Sequence, residues 1–320
     1  MVNLQNKWVL VILISMLTPG MHAKDFSSFL YPWNLSLGSY YTYGEYSTGQ
    51  IYQSKMGYFS MDRRWKDRFS IAVEKIKITG DDKSYNQTNF FGRDYFYIKP
   101  EISLGGIVGV FQTDTTYTTD MDSSNSSWNV ERKSKDEHHG WVVGVQISGD
   151  LPWLGYAASY IRSEYQYIFR KADEYHYDES IGEQDTTYFY DYYFYEPVDQ
   201  WAVHLSRRIG NHVVRLGETI QQFDTEILST TSGGWDWTIS DNFGSTLSAG
   251  FGKSRYAVEP ALLLLNNNPD NLTKTASLRL SWRVLVNWRL TAVVSYQEFQ
   301  PIEHSKYHIT YGAIGIQGRF

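Results

Sequence analysis

Apolar and polar residues alternate at every second position over long parts of this chain. In the segment ASLRLSWRV, residues 276–284, every even-numbered position is apolar and the odd-numbered positions carry serine or arginine. A period of two residues is that of a β-strand whose two faces meet different surroundings. No period of 3.6 residues persists after the amino-terminal region, so we predict an all-β protein.

Fourteen strands are predicted, and the links between them set the architecture. The strands are expected near 34–46, 50–61, 68–79, 88–99, 101–116, 138–149, 153–170, 187–208, 212–226, 231–240, 243–258, 273–286, 288–300 and 305–320. Tight links mostly alternate with longer ones at 80–87, 117–137, 171–186 and 259–272. Short turns on one rim and longer loops on the other are typical of a transmembrane antiparallel β-barrel. Twelve or sixteen strands fit the same pattern.

The carboxyl-terminal segment YHITYGAIGIQGRF, residues 307–320, alternates to its last residue and ends on an aromatic ring. In a barrel with an even number of strands the last strand pairs with the first, which leaves no open edge. We therefore expect Ile314, Ile316 and Phe320 to face lipid.

Aromatic residues make up 17% of the chain, although its mean hydropathy is only -0.42. A helical membrane protein would be far more apolar, and tyrosine and tryptophan gather where a barrel crosses the two membrane surfaces. A soluble β-sandwich with rings in its core is the alternative. The predicted lipid-interface aromatics are Trp153, Trp201, Trp235, Trp237, Trp288 and Phe320.

Residues 1–23 are predicted to be a secretory signal peptide, since Lys7 precedes the short apolar run WVLVILISML and Ala23 ends the stretch that follows. Residues 24–320 then form a single barrel domain. The chain has no cysteine, which fits an exported protein without disulfides. Its net charge of -6 argues against a nucleic-acid partner.

The signal peptide, the alternating strands and the closing YGAIGIQGRF resemble bacterial outer-membrane β-barrels. In size and strand count the chain is similar to monomeric fourteen-stranded channels for sugars and other small solutes. The resemblance implies location in the bacterial outer membrane, contact with its lipid and lipopolysaccharide, and recognition of the final aromatic by the barrel-insertion machinery.

If the apolar face meets lipid, the other face lines a pore. The predicted pore-lining residues are Lys55, Glu74, Arg215, Asp236, Arg279, Arg283, Arg289 and Arg319. An excess of cations in a narrow passage favours anions or polar hydroxylated solutes. Alternatively, the arginines pair with carboxylates and only fill the barrel.

The segment 173–197 combines many tyrosines with carboxylates. Rings beside carboxylates suit stacking on a sugar, and they also suit a loop that folds inward. A simple continuation of the strands above the membrane, with carboxylates that bind divalent cations, is the alternative. The predicted solute contacts are Tyr175, Tyr177, Tyr188, Tyr190 and Tyr192.

Catalysis is not expected. His204 and Ser206 share one strand face as a base and a nucleophile would, but no third group and no GxSxG turn accompany them. The adjacent His138 and His139 point to opposite faces of a strand, which does not suit a metal site. No cofactor and no metal are implied.

The sequence therefore predicts an outer-membrane channel for passive passage of small hydrophilic solutes, with saccharides or anions favoured. Three alternatives stay open: the exit pore of a polysaccharide export system with a periplasmic partner, a lipid-modifying hydrolase that uses His204 and Ser206, and a structural or adhesive barrel.

Overall fold

The computed structural model describes residues 33–63, 67–80, 83–99, 101–121, 128–151, 153–177, 186–256, 258–259, 264–265, 270–301 and 305–319. Its strands are β1 (Trp33–Tyr46), β2 (Ile51–Arg63), β3 (Asp67–Thr79), β4 (Lys83–Lys99), β5 (Ile102–Met121), β6 (Trp128–Asp150), β7 (Gly155–Tyr177), β8 (Thr186–Ile209), β9 (His212–Gln222), β10 (Ile227–Thr238), β11 (Phe243–Ser254), β12 (Val258–Glu259), β13 (Leu264–Leu265), β14 (Asn271–Leu285), β15 (Trp288–Gln300) and β16 (Tyr307–Arg319). The predicted signal peptide, residues 1–23, and Phe320 lie outside the described residues.

Fourteen of these strands form one closed antiparallel barrel, and the short β12 and β13 pair only with each other. Closure joins β1 to β16 in a continuous register from Ser36 opposite Arg319 to Tyr46 opposite Ile309. The predictions of an all-β fold, of a closed barrel and of fourteen strands are confirmed. No helix among the described residues is long and apolar enough to cross a membrane.

The two faces of the barrel wall differ in exposure at each step along a strand. On β6, the side chain of Val143 is 44% exposed on the outside, whereas that of Val142 is 3% exposed on the inside. On β16, Ile314 is 70% exposed, as expected for a residue that meets lipid rather than protein. A band of exposed apolar side chains thus surrounds the barrel.

The two ends of the barrel differ in link length as predicted: we call the end with short links the turn rim and the end with longer links the loop rim. Four strands, however, are longer than the sequence indicated. The turn rim holds the links 210–211, 239–242 and 286–287, while the loop rim holds the link between β11 and β14. Strands β5 to β8 run 20 to 24 residues, whereas about 9–11 suffice to cross a bilayer. Much of the predicted loops 117–137 and 171–186 is therefore strand that continues beyond the membrane. Those segments are polar on both faces, which removed the alternation on which their prediction depended.

The seam between β1 and β16 leaves no room for a side chain at Gly44. A Cβ atom there would lie 2.4 Å from Cβ of Tyr311 and 2.7 Å from the carbonyl oxygen of Thr310. A Cβ atom at Gly57, on β2, would meet nothing within 4 Å.

We expect Gly44→Val to destabilise the barrel by about 1–3 kcal/mol, because the added atoms force the closing strands apart. The measurement is the urea midpoint of unfolding of the purified protein in detergent micelles. Gly57→Val is the matched control and should leave the midpoint unchanged. Equal midpoints for the two variants would contradict the tight seam at Gly44.

Candidate functional site

Three described residues of the link between β11 and β14 lie inside the barrel. Arg255, Tyr256 and Val258 are 8%, 2% and 4% exposed. Tyr256 adopts a φ of 49°, in the left-handed region that non-glycine residues seldom occupy. We call residues 255, 256 and 258 the inner segment, since each of them contacts inward-facing side chains of the wall.

Two glutamines of the barrel wall hold the backbone of the inner segment. The side chain of Gln221 donates to the Arg255 carbonyl oxygen at 2.6 Å and accepts from the Arg255 N–H at 2.9 Å. Gln200 donates to the Val258 carbonyl oxygen at 2.9 Å and accepts from the Val258 N–H at 3.3 Å. Both glutamines are buried, so these bonds satisfy polar groups that would otherwise be costly to leave unpaired.

The guanidinium of Arg255 anchors the same segment through charge. It forms an ion pair with Glu226, lies 3.9 Å from the carboxylate of Glu196, and donates through Nε to Asn271 at 3.0 Å. It also lies over the ring of Phe223, at 5.0 Å from the centroid. The guanidinium is buried whereas the Glu226 carboxylate is partly exposed, so the cation is the charge that depends on these partners.

Tyr256 is the centre of an aromatic group inside the barrel. Its ring stacks on Tyr165 at a centroid distance of 4.1 Å, and Phe223 lies at 6.3 Å. The Tyr165 hydroxyl donates to the Tyr256 carbonyl oxygen at 2.8 Å, and the Tyr167 hydroxyl donates to the Tyr256 hydroxyl. Burial, with added repulsion from Tyr165 and Asp270, raises the pKa of the Tyr256 phenol well above its usual range. The phenol therefore stays neutral.

Apolar side chains line much of the inner wall around this group. The buried cluster consists of Ala72, Phe91, Ile107, Phe111, Val142, Ile161, Tyr165, Val198, Phe223, Leu228, Tyr256 and Val258. Sequence reasoning missed this lining, because it assigned the apolar face of each strand to lipid. Consecutive apolar residues in IVGVF (107–111) and WVV (141–143) were the available signal, since a strand that is apolar on both faces meets apolar surroundings on both.

Arginines line the inner wall nearer the turn rim. Arg279, Arg283 and Arg289 alternate with outward-facing residues, Arg283 pairs in register with Arg289, and both Arg279 and Arg289 lie near the phenol of Tyr58. We call these three residues the arginine group. No ion pair to any of them is found within the described parts of the chain.

Other predicted pore-lining residues also lie on the inner wall, but they have partners. Arg215 forms an ion pair with Asp236 at 2.7 Å, and Thr246 donates to the same carboxylate at 2.6 Å. Glu74 is buried and accepts from Ser54 at 2.5 Å and from Asn89 at 3.1 Å. The sequence reading did not include Arg93, which stands over the ring of Tyr95 at 5.3 Å.

Lys55 does not line the pore. It pairs in register with Tyr41, which is 44% exposed on the outer face, and its neighbour Ser54 is the buried inward residue. The prediction was wrong because the outer face of β2 is poor in apolar residues around this position, so polarity did not separate the two faces. Arg319 pairs in register with Ser36 at the seam, and its side chain lies outside the described residues.

His204 and Ser206 both face the lumen but turn to different neighbours. A Cβ atom at Gly217 on β9 would lie 2.4 Å from Nδ1 of His204, whereas one at Gly155 on β7 would lie 2.4 Å from Oγ of Ser206. No hydrogen bond joins the two side chains in the part of the chain described. The geometry thus offers no base and nucleophile pair. Groups of three or more metal-binding side chains are also absent from the described ranges.

The five predicted loop tyrosines occupy strands. Tyr175 and Tyr177 belong to β7, while Tyr188, Tyr190 and Tyr192 belong to β8. Their side chains lie outside the described residues, so their contact with a solute stays a prediction.

Four of the five predicted interface tryptophans described lie at or near the turn rim. The fifth, Trp201, faces outward within β8, eight residues before Ile209, with its ring 5.6 Å from that of Tyr160. Trp235 and Trp237 face outward at the turn rim and stack at 6.5 Å. Trp288 lines the outer wall near the same rim, and Trp153 is 64% exposed in the link between β6 and β7.

No protein-family model and no curated protein matches this sequence. Solved structures match its fold. The CymD monoaromatic hydrocarbon channel superposes with a TM-score of 0.62, 9% identity, and coverage of 90% of this chain and 88% of its own. The Pseudomonas putida toluene transporter TodX superposes with a TM-score of 0.58 and 8% identity, and a Pseudomonas aeruginosa FadL homologue with a TM-score of 0.55 and 8% identity. Each of these matches covers 90% of this chain and 89% of the other. The chain has the fold of bacterial outer-membrane β-barrels, and the exposed apolar band around its wall is what such a membrane requires.

We expect Arg255→Met to release the inner segment, because the ion pair, the Asn271 bond and the contact with Phe223 are weakened together. The chain has no native cysteine, so Val258→Cys provides a single thiol. Labelling of that thiol with a water-soluble maleimide should become about tenfold faster or more in the Arg255→Met background.

Lys253→Met is the control, because it removes an exposed cation two residues earlier, near the end of β11. Its labelling rate should equal that of the single-cysteine protein. Equal acceleration by both substitutions would mean that Arg255 does not hold the segment.

Proposed function

We propose that this barrel is a passive channel for small solutes that combine an apolar or aromatic body with an anionic group. The observation that carries the proposal is the buried apolar and aromatic lining of the lumen, in which the inner segment is packed. A channel for sugars alone would gain little from such a lining, because sugar hydroxyls lose hydrogen bonds to water without replacing them there.

Two zones of the inner wall, the aromatic group around Tyr256 and the arginine group, would each recognise one part of the solute. An aromatic body would replace contacts that the inner segment now makes with Tyr165 and Phe223, at little cost in apolar surface. The arginine group would then attract the anionic group toward the turn rim, since low-dielectric walls concentrate the field of its cations. In outer-membrane barrels the short turns face the periplasm, so a solute that enters from outside would meet the aromatic zone before the arginine group.

The inner segment is the gate of this proposal. Its hydrogen bonds to Gln200 and Gln221 close the lumen on the side of β7 to β9, and displacement of the segment would open it. CymD is a monoaromatic hydrocarbon channel and TodX is a toluene transporter. Their cargo is consistent with an apolar route here, and it adds no support for saccharide passage.

The sequence favours saccharides or anions as cargo, and the lumen supports these two classes to different degrees. The arginine group supports the anionic part, whereas the inward-facing polar side chains of Glu74, Gln87 and Asn89 are already hydrogen-bonded to one another. The hydrolase alternative loses its support, because His204 and Ser206 are turned to different strands. The export pore and the adhesive barrel stay as predictions.

Flux into vesicles tests the cargo class. For both the unaltered protein and Arg255→Met, we expect benzenesulfonate to enter faster than methanesulfonate, which lacks the ring, and faster than xylose, which lacks the charge. Arg255→Met should raise all three rates, because the gate is released. Xylose entering as fast as benzenesulfonate would instead identify a general or sugar pore, and no flux through Arg255→Met would overturn the channel itself.

Replacement of the arginine group by glutamine should slow both sulfonates by about tenfold and leave xylose unchanged, because only the anions interact with the removed charge. Arg207→Gln is the matched control, since Arg207 lies at the same rim on the outward-facing positions of β8. Slowing of xylose to the same degree would show that the substitutions had narrowed or unfolded the barrel rather than removed an attraction.

A further inference from the structure

We propose that the outer wall formed by β1 to β3 binds the lipid A part of lipopolysaccharide. A phosphate would bind between Lys55 and Lys75, and an acyl chain would lie in the groove around Gly57. This inference concerns the lipid-facing surface and does not depend on the cargo of the lumen.

Two lysines stand directly opposite each other on this surface. Lys55 and Lys75 are cross-strand partners on β2 and β3, and both are exposed. Lys77 follows two residues later on the same face of β3. Like charges at opposed strand positions, with Cβ atoms about 5 Å apart, repel each other and destabilise the pair. An anion between them would turn that repulsion into attraction.

Neighbouring strands supply no countercharge at this level. The register places Tyr41 beside Lys55 and Thr88 beside Lys75. Glu45 is four residues beyond Tyr41, which is about 13 Å along an extended strand, and no ion pair to Lys55, Lys75 or Lys77 is found in the described parts of the chain. By contrast, the outward-facing Lys274 and Lys306 both bind Glu298, at 3.3 and 3.2 Å.

The lysines lie where the apolar band of the barrel ends toward the loop rim. On the outer face of β3, Val73 is followed by Lys75. The neighbouring strands change from apolar to polar at the same level. Phe90 on β4 and Val110 on β5 lie beside Val73, whereas Thr88 and Gln112 lie beside Lys75. An amino group at the edge of the apolar band is at the depth of lipid headgroups, where lysine side chains extend to meet phosphate.

A groove of about 520 Å³ lies directly below the lysine pair. Gly57 forms part of its floor, two residues from Lys55, and Val73, the cross-strand partner of Gly57, is two residues from Lys75. Most of the other lining residues are apolar, among them Leu37, Phe59, Ile71, Trp288 and Ile316. Any acyl chain fits such a surface, so the lysines must supply the selectivity for a headgroup.

Lipid A fits both parts of this surface. Its phosphates are attached where its sugars join the acyl chains, so one molecule presents an anion immediately above a chain. The loop rim of an outer-membrane barrel faces outward, and lipopolysaccharide occupies the outward leaflet. Lysine binds phosphate as a compact point charge, without the planar geometry that arginine requires.

The test is a titration of the folded protein in detergent micelles with purified lipid A, followed by native mass spectrometry. Lys55→Gln combined with Lys75→Gln should weaken binding by on the order of 30-fold. Gly57→Leu should weaken it by about tenfold, because the new side chain occupies the groove while its Cβ meets no protein atom within 4 Å.

Lys274→Gln combined with Lys306→Gln is the matched control, because it removes two outward cations that already have a carboxylate partner. This control should bind lipid A as the unaltered protein does. Equal weakening by the two double substitutions would reduce the effect to net charge and overturn the site. Stronger binding of phosphatidylglycerol than of lipid A would overturn the choice of lipopolysaccharide as the source.

Discussion

Inside a bilayer no water is present to hydrogen-bond a free backbone group, and this constraint governs the whole structure. An open sheet would leave two strand edges unpaired in hydrocarbon, at several kcal/mol for each group. The pairing of β1 with β16 removes both edges. Once the barrel is closed, each strand has one face toward lipid and one toward the lumen, so each residue position on a strand meets one of these two environments.

Closure also explains why the lumen has a segment of chain inside it. Part of the inner wall between β3 and β10 is apolar, and water against that part would gain few hydrogen bonds. Tyr256 covers part of this surface, while Gln200 and Gln221 pair with the backbone of the segment as a neighbouring strand would. These contacts hold the segment against the inner wall through few groups, which is what the proposed gate requires.

The sequence was sufficient to predict whatever follows from alternation alone. The barrel, its strand number, the lipid-facing Ile314 and Ile316 and the inward-facing Arg279 all depend on a period of two. Alternation gave no guidance where both faces have the same character. Ile107 and Val108 are both apolar, and the segments 117–121 and 171–177 are polar on both faces. The inner segment lay beyond such reasoning, since its position depends on contacts between residues up to 91 positions apart.

Lys55 illustrates how much depends on one step of register. A lysine on the inner wall of a pore attracts anionic cargo, whereas the same lysine on the outer wall meets lipid headgroups, and the two surfaces alternate along one strand. On β2 the outer positions Gln53, Lys55 and Gly57 are less apolar than inner positions such as Met56 and Tyr58, so hydrophobicity assigns them to the wrong face. Pairing assigns them correctly, because Tyr41 and Lys75 on the adjoining strands both face outward. The same cation that would have been counted with the arginine group thus belongs to a separate surface, and the two functions proposed here can be removed independently.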